Sequence, residues 1–307
     1  MHAVAATEGN RVSAANPGQE ATSMPTFTDA HRRPDARADS TASPAGAPAA
    51  GARGAAISIR DVSKRYVGGV SALESVSLDV RAGEFVSVLG PSGCGKSTLM
   101  LIVAGLLSCS SGSVVVNGAT VDKPLTDVGI VFQDDLLLEF RTTLDNVALQ
   151  CEVRGMRRSE ARRKAAQALD RMGLSNAARR YPHELSGGMR QRASIARAFI
   201  HEPSTLLMDE PFGALDAITR IRMQGELERL WLDGQRKTIL FITHGVEEAV
   251  RLSDRVVVLS PSPGRIAAEF TIDAPRPRPI VIEENETLTR YSRDIYGLFD
   301  RLGVFEN

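Results

Sequence analysis

From residue 57 onward the chain alternates between two hydrophobic rhythms. The stretch AISIRDVSKRY (56–66) alternates apolar and polar positions and predicts a strand with one buried face. VSLDV (76–80), EFVSVLG (84–90), SVVVNG (113–118), VGIVFQ (128–133), STLLMDE (204–210), KTILFITH (237–244) and RVVVLS (255–260) are short apolar runs bounded by polar or turn residues, and each predicts a strand. Helical patterns lie between them, the first over 96–106. Strands alternating with helices predict a parallel sheet covered on its faces.

Residues 134–200 break this rhythm, because they hold no strand-like run. SEARRKAAQALDRMGL (159–174) repeats its apolar positions Ala161, Ala165, Leu169 and Met172 at helical spacing, with Ser159 as the expected N-cap. A helical subdomain inserted into an α/β core is therefore expected. Near the end, Leu288, Tyr291, Ile295, Leu298 and Leu302 fall on one face and predict a packing helix over 286–307.

Composition alters the picture mainly at the start. Residues 1–55 are rich in Ala, Gly, Pro, Ser and Thr with almost no large apolar side chains, and are expected to form a disordered arm. They carry no apolar segment of a secretory signal. About 250 residues remain, enough for one large unit with its own core. Lys and Arg number 37 and Asp and Glu 37, so the net charge of zero gives no support for a nucleic-acid binder. No apolar run approaches a membrane span. The three cysteines, Cys94, Cys109 and Cys151, lack metal-ligand spacing and are expected to be free thiols. The basic run Arg154, Arg157, Arg158, Arg162, Arg163 and Lys164 is expected to be a solvated helix face.

The chemistry gathers at strand ends. GPSGCGKST (Gly90, Pro91, Ser92, Gly93, Cys94, Gly95, Lys96, Ser97, Thr98) follows a predicted strand and opens a predicted helix. Its glycines let backbone N–H groups wrap a phosphate, Lys96 reaches the β- and γ-phosphates, and Ser97 can coordinate Mg²⁺. In LLMDEP, Asp209 and Glu210 end a strand and point opposite ways, so their tasks differ. Asp209 is assigned to Mg²⁺ and Glu210 to the attacking water. His244, ending KTILFITH, is assigned to the γ-phosphate and that water; Gln133, ending VGIVFQ, to Mg²⁺ or water. Tyr66 either stacks on adenine or is a core or edge-strand tyrosine. A second glycine pair, in ELSGGMRQR (184–192), opens a basic helix and offers another anion cradle.

GPSGCGKST, VFQ, LSGGMRQR, LLMDEPFGALD and ITHGVEEA occur in one order, which resembles that of the ATP-binding cassette ATPases. The resemblance runs from Ile57 to the C-terminus. It implies a P-loop NTPase, RecA-like fold: an α/β parallel-sheet core with an antiparallel β edge and an inserted helical subdomain, in a cassette spanning 56–285. It implies ATP and Mg²⁺ as ligands, and two cassettes packed head to tail as a homodimer. Ser186, Gly187 and Gly188 would then hold the partner's γ-phosphate, and Asp216 would couple the two sites.

A single cassette without membrane spans resembles an importer subunit that docks on two separate membrane permeases. A periplasmic or extracellular binding protein would supply the solute, and the cassette would sit peripherally on the cytoplasmic face of the membrane. The tail SPSPGRIAAEFTIDAPRPR and the stretch FQDDLLLEFRTTLDNVAL resemble the nitrate, taurine and sulfonate group. Departures are Leu138-Glu139-Phe140 where that group shows Leu-Pro-Trp, and Gly245 where aspartate is usual. The apolar segment after Gln133 is the expected groove for the permease. The alternative is a soluble cassette acting on ribosomes or nucleic acid, against which stand the single cassette and the neutral charge.

Overall fold

The computed structural model describes residues 57–232 and 236–305, so the expected N-terminal arm lies outside the described residues. Ten strands and seven helices follow in the order β1 (Ile57–Arg65), β2 (Ser71–Val80), β3 (Phe85–Leu89), α1 (Lys96–Val103), β4 (Ser111–Val116), β5 (Ala119–Thr120), β6 (Val128–Val131), α2 (Thr143–Val153), α3 (Arg158–Arg171), α4 (Gly187–Phe199), β7 (Thr205–Asp209), α5 (Ala217–Leu232), β8 (Thr238–Thr243), α6 (Val246–Leu252), β9 (Arg255–Leu259), β10 (Ile266–Thr271) and α7 (Glu286–Arg301) among the described residues. The six-stranded sheet has the order β10-β9-β3-β8-β7-β6. Its inner pairs are parallel, and β10 joins β9 antiparallel. A separate antiparallel sheet runs β2-β1-β4-β5. This is the α/β architecture with an antiparallel edge that the sequence implies.

The apolar runs occupy the buried centre. Every residue of β3, β7 and β8 is buried, as expected for parallel strands covered on both faces. Phe85, Phe241 and Trp231 meet beneath the sheet, with Phe85 and Trp231 edge to face at 5.9 Å between centroids. The 134–200 insertion contains α2, α3 and α4, and Ala161, Ala165 and Leu169 are fully buried in a core shared with the sheet. In α7, Leu288, Ile295 and Phe299 are buried against α6, and Tyr291, Leu298 and Leu302 pack at the margin.

Several elements differ from the sequence reading. α1 stops at Val103, not 106, because Gly105 turns left-handed at φ 71°. α3 begins one residue before Ser159, and Arg157 stands at its N-cap without a side-chain cap. Its first turn is fixed instead by charge. Arg162 reaches Asp145 at 3.0 Å, and Arg158 lies 3.8 Å from Glu152. Two of the basic residues expected to form a solvated face, Arg158 and Arg162, pair with acids of α2, and both stay exposed to solvent as expected. β5 and β10 were not foreseen; β10 alternates half-buried and exposed residues and pairs on one edge only.

Candidate functional site

The loop Gly90–Thr98 leaves the C-terminal end of β3, at the centre of the parallel sheet, and enters α1. Two of its three glycines are hemmed in by neighbouring atoms, and Gly93 instead has open space at φ 78°. A Cβ on Gly95 would lie 2.5 Å from the Ala72 carbonyl, and φ there is 96°. A Cβ on Gly90 would lie 2.7 Å from Cys94 Sγ. Gly264, not singled out from the sequence, braces the same loop: its N–H donates to the Ala72 carbonyl at 3.0 Å, and its carbonyl accepts from Glu74 N–H. A Cβ there would fall 2.0 Å from the Cys94 carbonyl. Only its place after β9, next to three prolines or serines, hinted at a turn. Cys94 is buried, and burial pushes its thiol upward, away from a reactive thiolate. Pro91 is half-buried, and Ser92 and Gly93 are exposed at the loop's rim.

Lys96 is buried, and its Nζ donates to the carbonyls of Gly90 (2.8 Å) and Pro91 (2.9 Å). The ammonium thus spans the cradle from inside. Asp209, at the end of β7, is also buried. Burial pushes its carboxyl upward, partly opposed by a hydrogen bond from Ser97. Its Oδ1 has no hydrogen-bond partner. A hard carboxylate oxygen buried without a donor, beside a hydroxyl at the mouth of the loop, fits Mg²⁺. No cluster of three or more His, Cys, Asp or Glu among the described residues could hold a metal alone.

Glu210 follows with φ 44°, a left-handed backbone that side chains rarely adopt. Its N–H is held by the Ile242 carbonyl at 2.9 Å. His244, the first residue after β8, approaches Glu210: Nδ1 lies 3.1 Å from Oε1. The two residues line a small opening of about 220 Å³. Behind His244, Thr243 Oγ1 accepts from Gly245 N–H at 2.9 Å and donates to Glu248 Oε2 at 2.5 Å. Glu248 also accepts from Gln224, and burial raises its carboxyl. This support for the histidine turn was not read from the sequence, since it joins residues of β8, α5 and α6.

Tyr66 donates or accepts a hydrogen bond with Thr98 Oγ1 at 3.1 Å, and its ring is 40% exposed. The structure therefore places it over the start of α1, free to offer a face. Gln133 lies two residues beyond β6, not at its end, and is exposed. The chain turns there because Phe132 is held by Gln191 of α4. Ser186 caps α4, accepting from Met189 N–H at 3.3 Å, with Gly187 and Gly188 in the first turn. Among the described residues these three make no hydrogen bond to the Gly90–Thr98 loop. Asp216 is exposed and caps α5, accepting from Thr219 N–H at 3.0 Å, which holds its carboxyl below the usual range.

Phosphate cradle, buried carboxylate, strained glutamate and histidine thus converge at the C-terminal ends of the interior strands β3, β7 and β8, while the second glycine pair stands on the insertion. Residues 73–213 match the family model described as ABC transporter. The taurine import ATP-binding protein TauB of Rhizobium johnstonii is 48% identical over 209 residues, covering 68% of this chain and 79% of that protein. The aliphatic sulfonates import ATP-binding protein SsuB of Cupriavidus necator is 47% identical over 233 residues, covering 74% of this chain and 73% of that protein. A solved dimeric, post-hydrolysis structure of the ATP-binding cassette MJ0796 bound to ADP and Pi is similar, with TM-score 0.66 and 32% identity over 71% of this chain and 99% of that one.

Proposed function

The chain belongs to the ABC transporter family of ATP-binding, ATP-hydrolysing cassettes, and on that premise we propose that it powers the import of a small sulfonate-type anion, such as taurine or an alkanesulfonate. Nitrate is the next substrate class the resemblance offers. The importer assignment is carried by the 48% identity to a taurine import ATP-binding protein. The chemistry is carried by the Glu210–His244 contact beside the loop and the unpartnered Asp209 oxygen.

In this reading Lys96 exchanges its two loop carbonyls for phosphate oxygens, and loop N–H groups take the rest. Mg²⁺, held by Asp209 and Ser97 with Gln133 nearby, would neutralise phosphate charge. Tyr66 offers its ring to the adenine. Glu210 orients the attacking water and draws on its proton. His244 keeps the Glu210 carboxylate turned toward that water and reaches the γ-phosphate through its other ring nitrogen.

A second copy of the chain would close each site, laying Ser186, Gly187 and Gly188 of one protomer on the nucleotide of the other, with Asp216 at the seam. Support comes from the position of these residues at a helix N-terminus on the insertion. A groove of about 670 Å³, lined by Leu125, Phe132, Leu136, Val153, Arg197 and His201, is the proposed seat of a permease segment. No described helix is long and apolar enough to cross a membrane. The cassette would therefore attach peripherally, on the cytoplasmic face, to two permeases fed by an external binding protein.

The test is growth of cells in which Glu210→Gln replaces the wild-type chain. Loss of growth on taurine or alkanesulfonates as sole sulfur source, with normal growth on sulfate, is expected. A defect confined to nitrate as nitrogen source would move the substrate to nitrate. Normal growth on all of these, together with recovery of the chain on ribosomes, would favour the non-transport alternative.

A further inference from the structure

A second cavity, of about 600 Å³, opens away from the Glu210–His244 site. It is bounded by the end of α3, the body of α4, the length of α5 and the tail segment after β10. Three arginines from three of these elements face it: Arg171 of α3, Arg192 of α4 and Arg222 of α5.

Their hydrogen-bonding capacity is largely unspent. Arg192 donates through Nη1 to the Met172 carbonyl at 2.9 Å and through Nε to the Gly188 carbonyl at 3.4 Å. Its Nη2 has no partner among the described residues. Arg171 and Arg222 make no hydrogen bond or ion pair among the described residues. Burial above all, and then the nearby Arg222, hold the Arg192 guanidinium below its usual range, with Asp216 opposing. The acids of the cavity are already engaged. Glu226 lies 3.6 Å from Arg229, and Glu228 meets Arg276 at 3.2 Å. Arg278, by contrast, is consumed by backbone carbonyls and contributes nothing free.

The rest of the rim is apolar. Ile218 is 82% exposed, Ile280 58% and Ile221 40%. Planar guanidinium forks match the oxygens of a sulfonate or phosphate, and exposed isoleucines match a hydrocarbon body. The volume suits one small organic molecule.

We propose that this cavity is a binding site for an organic oxyanion, a sulfonate or phosphate head on an apolar body, held by Arg171, Arg192 and Arg222. Such a ligand ties the insertion to α5. Because Arg192 also holds the carbonyl of Gly188, occupancy bears on the glycine pair that opens α4. The proposal stands whether or not the imported solute is a sulfonate.

The test uses the full chain with ADP saturating, so that the Gly90–Thr98 loop cannot take the anion. Calorimetric titration with 1-hexanesulfonate, at fixed ionic strength in chloride, is expected to show one saturable site. Arg222→Gln is expected to weaken it by about tenfold or more, and Arg171→Gln to weaken it measurably, with ADP affinity unchanged in both. Arg222→Lys should recover part of the loss, since charge returns without the fork. No saturable binding, equal affinity in Arg222→Gln and wild type, or equally tight binding of 1-hexanol would overturn the proposal.

Discussion

The two glycine-rich cradles of this molecule differ in how finished they are. The Gly90–Thr98 loop rises from a buried strand, is braced by Ala72 and Gly264 backbone, and carries its own cation already inserted between two carbonyls. At the Ser186–Gly188 cradle a Cβ on Gly188 would come 3.2 Å from Leu215 Cδ2, but a Cβ on Gly187 would meet only the far end of Arg190, at 3.9 Å. On the first loop, glycine is forced at Gly95 by the neighbouring Ala72 carbonyl. At Gly187 nothing inside the protomer forces it, which fits a surface shaped for something that arrives. The lesson is that two glycine-rich helix starts can look alike in sequence, and packing separates them.

The largest effect should come from disabling each cradle in turn. Lys96→Ala and Gly187→Asp are each expected to reduce ATP turnover by about 100-fold or more. If the second cradle serves a partner's nucleotide, mixing the two inactive variants restores turnover, because one mixed site has both an intact loop and an intact signature. Gly187→Asp should keep the ATP affinity of the isolated protomer. Mixed samples that stay inactive, with ATP affinity lost in Gly187→Asp, would place both cradles on one nucleotide.

A smaller effect sharpens the contrast in packing. Gly95→Ala should lower the unfolding free energy by about 2–4 kcal/mol through clash and backbone strain and abolish ATP binding. Ser186→Ala should cost about 1 kcal/mol, the worth of one N-cap. Chemical denaturation of both variants checks the order; a reversal would mean that the signature, not the loop, is the rigid element.

The smallest effect concerns charge. The folded environment raises the Asp209 carboxyl above its unfolded value. The folded state then holds the proton more tightly, so stability falls as pH rises above about 4, the unfolded value. Without ligand at neutral pH, Asp209→Asn should therefore be slightly more stable than wild type, with the difference vanishing below about pH 4. The extra stabilisation that Mg²⁺ adds to ATP should disappear in the same variant. Melting curves against pH, with and without Mg²⁺, decide both points; an unchanged Mg²⁺ increment would remove Asp209 from the metal site.

Much of this was legible because it is local. β3, β7, β8 and β9 announce themselves as apolar runs, and the loop, Asp209, Glu210 and His244 sit where strands end. What escaped depends on partners distant in sequence. Ser159 reads as an N-cap, yet the start of α3 follows Arg158 and Arg162 docking on acids of α2. β10 hides because IAAEFT has one shared edge and no fully buried residue. The brace at Gly264 carries no motif, and the Thr243–Glu248 support lies inside ITHGVEEA but shows its role only once β8, α5 and α6 meet.

The brace also sets an order of events during synthesis. The Gly90–Thr98 loop leaves the ribosome well before the residue that fixes its neighbouring backbone, Gly264. The same is true of β8 and β9, which flank β3. A nascent chain thus displays the nucleotide motif long before it owns a formed pocket. The long-range closure that completes the pocket is the late, slow part of folding. Competence to hold ATP is thereby coupled to having made nearly the whole cassette, and a truncated product lacks both the brace and the power to draw on the nucleotide pool.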